Sequence, residues 1–197
     1  MLRVCTWLMP LVAVVTLWGD LQAQSAQPYS LQASGLFNAI LGGLFTNLQD
    51  GWGAEAQFRY TPGALSIGAG FQFTFHDLEA RTENATLYGG FIEPRYRIYA
   101  GSNVVAPYVS ARLSLLKMGF TGGDLSLSSI FTQLNGGGGV LIRLSSRFNL
   151  DVGASYGFTR LGSGTITSKS GRPVLPIPST SGSNAVLRLG LAMGLRD

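Results

Sequence analysis

The sequence predicts an all-β fold, an eight-stranded antiparallel up-and-down transmembrane β-barrel. Three observations predict it. Eight segments alternate apolar and polar residues with a period of two, the signature of strands whose two faces meet different surroundings. The connections between them run long, short, long, short, long, short, long. An even strand count with unequal loops at the two ends is the pattern of a membrane barrel. After the first two dozen residues, no window approaches the roughly 20 apolar residues that a spanning helix requires.

Residues 1–23 read as a secretory signal peptide: Arg3 is the only charge near the start, Val4 to Leu17 is largely apolar, and Ala23 offers a cut before Gln24. Residues 24–197 then suffice for one barrel domain. Cys5 falls in the leader, so the mature chain has no cysteine, and neither disulfides nor cysteine-ligated metal is expected.

The first strand, Tyr29–Phe37, sets Tyr29, Leu31, Ala33, Gly35 and Phe37 against Ser30, Gln32 and Ser34. In the second, Trp52–Tyr60, the apolar face is Trp52, Ala54, Ala56, Phe58 and Tyr60, opposite Glu55, Gln57 and Arg59. Thr61-Pro62-Gly63 makes a tight turn into the third, Leu65–Phe75, with Phe71, Phe73 and Phe75 opposite Gln72 and Thr74. A polar loop over 76–86 leads to the fourth, Leu87–Tyr99, where Tyr88, Ile92, Tyr96 and Ile98 oppose Glu93, Arg95 and Arg97. Pro94 lacks a donor, so a bulge is expected there.

The fifth strand, Pro107–Phe120, sets Val109, Ala111, Leu113 and Leu115 against Tyr108, Ser110, Arg112 and Ser114. The sixth, Leu134–Leu144, carries Val140, Ile142 and Leu144 against Asn135 and Arg143, and its glycines 136–139 mark a bulge or a close contact. The seventh, Phe148–Thr159, opposes six apolar residues to Asn149, Asp151, Ser155 and Thr159. The eighth, Ala185–Leu195, pairs an apolar face from Leu187 to Leu195 with Arg188 and small residues.

Alternation alone does not say which face looks outward, since soluble barrels keep apolar side chains inside and membrane barrels turn them to lipid. Three features favour the membrane. The polar face holds few charges and many Gly, Ser, Thr and Asn, whereas a water-exposed sheet carries many charges. Aromatics sit at strand ends: Tyr29, Tyr60 and Phe148 at the short-turn end, and Phe37, Trp52, Phe75, Tyr88 and Phe158 at the long-loop end. Trp52 to Tyr60 spans about 20 Å at a tilt of about 40°, near the apolar height of about 25 Å between aromatic girdles. Both termini fall at the short-turn end, which in bacterial outer membranes is periplasmic.

The whole barrel pattern resembles the small OmpA/OmpX-type outer-membrane β-barrel family. One local motif carries the resemblance further: Arg188-Leu189-Gly190-Leu191-Ala192-Met193-Gly194-Leu195 is similar to the terminal signal read by the barrel-assembly machinery, although the chain ends Leu195-Arg196-Asp197 where the family usually ends on an aromatic. The resemblance implies that machinery, outer-membrane lipid and lipopolysaccharide as partners. An extracellular ligand at the loops is the remaining expected partner. With no basic run interleaved with aromatics, nucleic acid is not expected.

Facing the lumen, Glu55, Glu93 and Asp151 meet Arg59, Arg95, Arg97, Arg112, Arg143 and Arg188, six arginines against three acids. In a confined interior these should form an ion-paired polar core, or a narrow channel or anion site fed by the arginine excess. Gly68, Gly70, Gly137, Gly139, Gly153, Ser155 and Gly157 are read as a small-walled upper lumen, from curvature or from a pocket.

His76 is the only histidine, followed by Asp77 with Glu79 near, and is expected at a loop edge in the headgroup zone. No serine stands beside it in the spacing a lipid-modifying hydrolase needs. Neither catalysis, a metal nor a cofactor is therefore expected, with a lipid-modifying outer-membrane enzyme as the alternative. The loops 38–51 and 121–133 are apolar enough to extend the wall or pack over its mouth, and 161–184 is expected to be mobile. The expected role is structural or surface-interacting, in the cell outer membrane.

Overall fold

The computed structural model describes residues 27–42, 48–78, 81–120, 125–128, 130–162, 164–168, 173–177 and 179–195. The leader, 1–23, lies outside them. Eleven strands follow one another: β1 (Tyr29–Ile40), β2 (Leu48–Tyr60), β3 (Leu65–Leu78), β4 (Arg81–Arg97), β5 (Val105–Phe120), β6 (Leu125–Ser128), β7 (Ile130–Arg143), β8 (Phe148–Leu161), β9 (Gly164–Ser168), β10 (Pro173–Ile177) and β11 (Thr180–Gly194). Eight of them close a barrel in the order β1, β2, β3, β4, β5, β7, β8, β11, each antiparallel to the next. β6, β9 and β10 form a separate three-stranded sheet beyond the long-loop end.

The register sets the barrel's dimensions. From Leu31, the partners Phe58, Ala69, Ile92, Leu113, Leu134, Phe158 and Ser183 lead back to β1 at Leu41, whose amide donates to the Ser183 carbonyl at 3.0 Å. Leu31 to Leu41 is a stagger of ten residues. Eight strands with that stagger tilt by about 40° around a backbone radius of about 8 Å, so side chains fill the interior. The amide of Leu195 donates to the Tyr29 carbonyl at 2.8 Å, so both ends of the barrel sequence lie at the short-turn end.

The two faces fall as the alternation predicts. Leu31, Phe58, Ile67, Phe71, Ile92, Leu115, Leu134, Val152 and Leu189 are exposed on the outer wall, while Gln32, Glu55, Gln57, Arg59, Gln72, Glu93, Arg95 and Asp151 are buried inside. Trp52 is 69% exposed and Phe158 67%, so the largest aromatics project outward. With the carboxylates and guanidiniums enclosed and the apolar wall outside, the molecule is inverted relative to a water-soluble barrel.

The structure corrects the expected bulge at Pro94. The β4–β5 ladder lapses at Glu93–Pro94 and resumes at Arg95 opposite Ser110 in unchanged register. The missing donor costs ladder bonds, and the pairing of Ile67 with Pro94 holds the strand on its other side. Of the two readings of glycines 136–139, close contact holds at 137–139, Gly136 facing open space, and the bulge does not, since β7 keeps one register against both β5 and β8. A Cβ on Gly137 would meet the Ala154 carbonyl and Ser155, and one on Gly139 the Val152 carbonyl and the Tyr108 hydroxyl.

The expected loops 76–86 and 161–184 are corrected to largely strand, while 121–133 extends the wall, as one of its readings had it, through the start of β7. β3 runs to Leu78 and β4 starts at Arg81, β6 and the start of β7 occupy most of 125–133, and β8, β9, β10 and β11 occupy most of 161–184. Backbone pairing continues past the apolar wall, with the β2–β3 register shifting between Leu48 and Gly51 and the β3–β4 register between Asp77 and Leu78. Pro173 and Pro176 on the edge strand β10 remove donors that would otherwise invite a further strand.

Candidate functional site

The lumen is built in three layers along its axis. Nearest the short turns lies the charge cluster. Glu93 (1% exposed) is its hub. Its carboxylate accepts from Arg59 at 3.2 Å, from Arg188 at 2.8 Å and from Arg112 Nε at 2.6 Å, and it also pairs with Arg95. Glu55 pairs with Arg112 and lies 3.6 Å from Arg188. Asp151 takes Arg95 at 2.9 Å and Arg188 at 3.4 Å. It also accepts from the Tyr108 hydroxyl at 2.6 Å and from Gln32 at 2.7 Å. Phe91 and Tyr108 lay their rings against the guanidiniums of Arg112 and Arg95.

Strand parity explains the convergence. Glu93 and Arg95 alternate on β4, Arg112 is four residues past Tyr108 on β5, and Glu55 and Arg59 share the inner face of β2. A curved wall of about 8 Å radius then points them all at one axis. In this buried interior each charge depends on its partners, because removing one leaves the others buried and under-compensated. Glycines make the room: a Cβ on Gly68 would meet Arg59 and Gln57, and one on Gly153 would meet the Tyr108 hydroxyl.

Of the nine charged residues expected here, the structure brings seven into contact: Glu55, Arg59, Glu93, Arg95, Arg112, Asp151 and Arg188. Arg97 lies nearer the short turns, where it donates to the Gly63 carbonyl, and Arg143 sits half-buried near the same end. Tyr108 and the glutamines 32, 57 and 72 complete the network and were legible only as polar-face residues, by their parity with Arg112, Glu55 and Arg59.

Above the charges is a small polar chamber. Asn135 donates to Asn184 at 3.2 Å and Asn184 to Asn38 at 3.1 Å, an amide chain across β7, β11 and β1. The space open to a water centre is about 20 Å³, lined by Asn38, Gln72, Thr74, Gln133, Asn135 and the tips of Arg112 and Arg188. That holds about one water molecule.

The third layer, at the long-loop end, is apolar. Leu48, Ala85, Leu87, Leu116, Met118, Phe131 and Leu161 pack together on the inner face, with Ile40 against them. This corrects the expectation of a small-walled upper lumen: the glycines lie lower, beside the bulky polar side chains they accommodate. His76 is corrected too. It is 1% exposed, on the inner face of β3, with Nδ1 2.9 Å from the Gln49 carbonyl and Nε2 2.9 Å from the Thr74 hydroxyl. Gly51 leaves room for its ring. The strand simply continues past Phe75, and parity turns position 76 inward.

Among the described residues, no group of three or more His, Cys, Asp or Glu side chains is arranged to hold a metal ion. Fold and lumen together define a small eight-stranded barrel of the outer-membrane type, closed along its axis.

Solved structures of that type are similar to it. The Neisserial surface protein A structure has 18% identity and a TM-score of 0.61, covering 85% of this chain and 97% of that one. The outer membrane protein OprG from Pseudomonas aeruginosa has 10% identity and a TM-score of 0.62, over 90% and 100% of the two chains. A major outer membrane protein from Thermus thermophilus has 18% identity and a TM-score of 0.52, over 85% and 98%. At these identities the likeness is one of fold. No known protein family matches the sequence, and no curated protein does.

Proposed function

We propose that the protein is a non-catalytic structural or surface-interaction barrel of the bacterial outer membrane, with both termini in the periplasm and its separate sheet outside the cell. The observation that carries this reading is the closed lumen: an ion-paired layer and an apolar layer in series, with the three-stranded sheet displayed beyond the long-loop end. Such a barrel neither conducts nor presents a reacting group, so what it offers is its outer wall and its separate sheet. The name of one similar structure, a surface protein, agrees with this.

The channel reading requires water to pass the Leu87–Leu116–Phe131 layer, and the enzyme reading requires a base facing lipid, whereas His76 faces the lumen. Surface biotinylation and externally added protease on intact cells test the proposal. Cutting confined to segments beyond the long-loop end, together with silent planar-bilayer recordings and a lipid A profile unchanged on deletion, is the expected result. Recovery as a soluble periplasmic protein overturns it.

A further inference from the structure

Among the described residues, the outer wall of the barrel carries few charges, and their arrangement is one-sided. The acids Asp50 and Asp77 lie at the long-loop rim of β2 and β3. Lys117 on β5 and Arg160 on β8 lie at the rim on the other side, with only β7 between them. Lys117 stands opposite Tyr88, and Arg160 is two residues beyond Phe158, so both cations sit at or just above the outer aromatic girdle. Both are exposed, and among the described residues neither has a hydrogen-bond or ion-pair partner. From strand spacing and rise, their Cα atoms lie about 12 Å apart, at nearly the same height along the barrel axis.

Below them the wall is greasy and then shallow. Leu115, Leu134 and Phe158 are all well exposed beneath the cations, and Ile130 stands beside Lys117. Further down, Gly136 lies between Ala111 and Tyr156 and Gly138 between Val109 and Ala154, which leaves a furrow along β7 bordered by the Tyr156 and Val109 side chains. Six residues separate Lys117 from Ala111, a depth of about 15 Å at this tilt. Alanines and glycines also line β1 and β2, at Ala33, Gly35, Ala54 and Ala56, but no cation stands over them among the described residues.

We infer that the β5–β7–β8 wall binds a phosphorylated, multi-acylated lipid of the outer leaflet, with Lys117 and Arg160 on its phosphate groups and an acyl chain along the furrow at Gly136. An ammonium or guanidinium at headgroup level without a protein anion takes a lipid anion as its partner, and arginine does so through two parallel N–H donors. Charge selects the occupant: a neutral lipid would satisfy the furrow and leave both cations unpaired. The inference rests on the outer-membrane reading above and names a ligand class and a wall for it.

The test uses the full barrel refolded in zwitterionic detergent, with native mass spectrometry of bound bisphosphorylated lipid A against the same lipid dephosphorylated. Retention of the bisphosphorylated form should fall about 30-fold in the Lys117→Ala/Arg160→Ala double variant and about fivefold in either single variant, from the usual worth of one basic residue at a lipid surface. Lys117→Arg should retain it. Gly136→Leu, whose Cβ meets nothing within 4 Å, should fold normally and lose retention of both lipids alike by filling the furrow. Equal retention by wild type and double variant, or equal retention of the two lipids by wild type, overturns the inference. Heat-modifiable gel migration shows that each variant is folded. Soluble fractionation in cells would defeat the outer-membrane reading itself, whereas an embedded barrel indifferent to phosphate defeats only this assignment.

Discussion

The lumen half near the short turns and the half near the long loops exclude water by opposite means. In the first, Glu55, Glu93 and Asp151 interlock with Arg59, Arg95, Arg112 and Arg188 through directed, charge-assisted contacts. In the second, Leu48, Leu87, Leu116, Met118, Phe131 and Leu161 meet through dispersion and burial alone. The ion-paired half is specific and brittle, because each member neutralises others that are buried with it. The apolar half is tolerant, because volume matters there more than identity. A closed barrel with such a gradient has a fixed register below and an adjustable plug above.

The ion-paired half is most vulnerable at its hub. Glu93→Ala should cost about 3–5 kcal/mol by leaving four guanidiniums without their shared anion, measured by urea unfolding in lipid vesicles. A loss under about 1 kcal/mol would show that the inner half is no more brittle than the outer. Phe131→Ala should cost about 3 kcal/mol in the same assay, the low end for a large aromatic deletion because the plug lies at the mouth. Planar-bilayer recordings of this variant should stay silent, since the charged layer still closes the lumen.

Smaller effects sharpen the contrast. Gly139→Ala should lose about 1–3 kcal/mol, since the new methyl meets the Tyr108 hydroxyl and the Val152 carbonyl. Leu116→Met in the plug should change stability by less than about 1.5 kcal/mol in the same unfolding assay. His76→Ala should cost about 1–3 kcal/mol for its two hydrogen bonds and leave the lipid A profile unaltered. An altered profile would revive the enzyme reading.

How far these halves are legible in the chain differs in the same way. The charges are legible because they fall on the polar parity of strands whose other face is plainly lipid-facing, as with Glu55 and Arg59 between Trp52 and Tyr60. The plug is not. Leu87, Leu116 and Phe131 are apolar residues at polar parity, near segments that look like loops, and only continued pairing past the girdle turns them inward. His76 is drawn inside by that same continuation. Pro94 keeps its register because a missing donor is a local fact, whereas the ladder on its other side, opposite Ile67, is not.

The alternation of side chains determined by itself that eight ribbons would form, which face of each is apolar and, through the girdle aromatics and the scarcity of charge, that this face looks to hydrocarbon. Tertiary structure decided the ten-residue stagger, the meeting of residues as distant as Glu55 and Arg188, the apolar closure of the mouth and the pairing of the outer sheet. The physical reason is range. A strand's two faces follow from residues two apart, but which side chains share a lumen depends on the registers of all eight pairings at once.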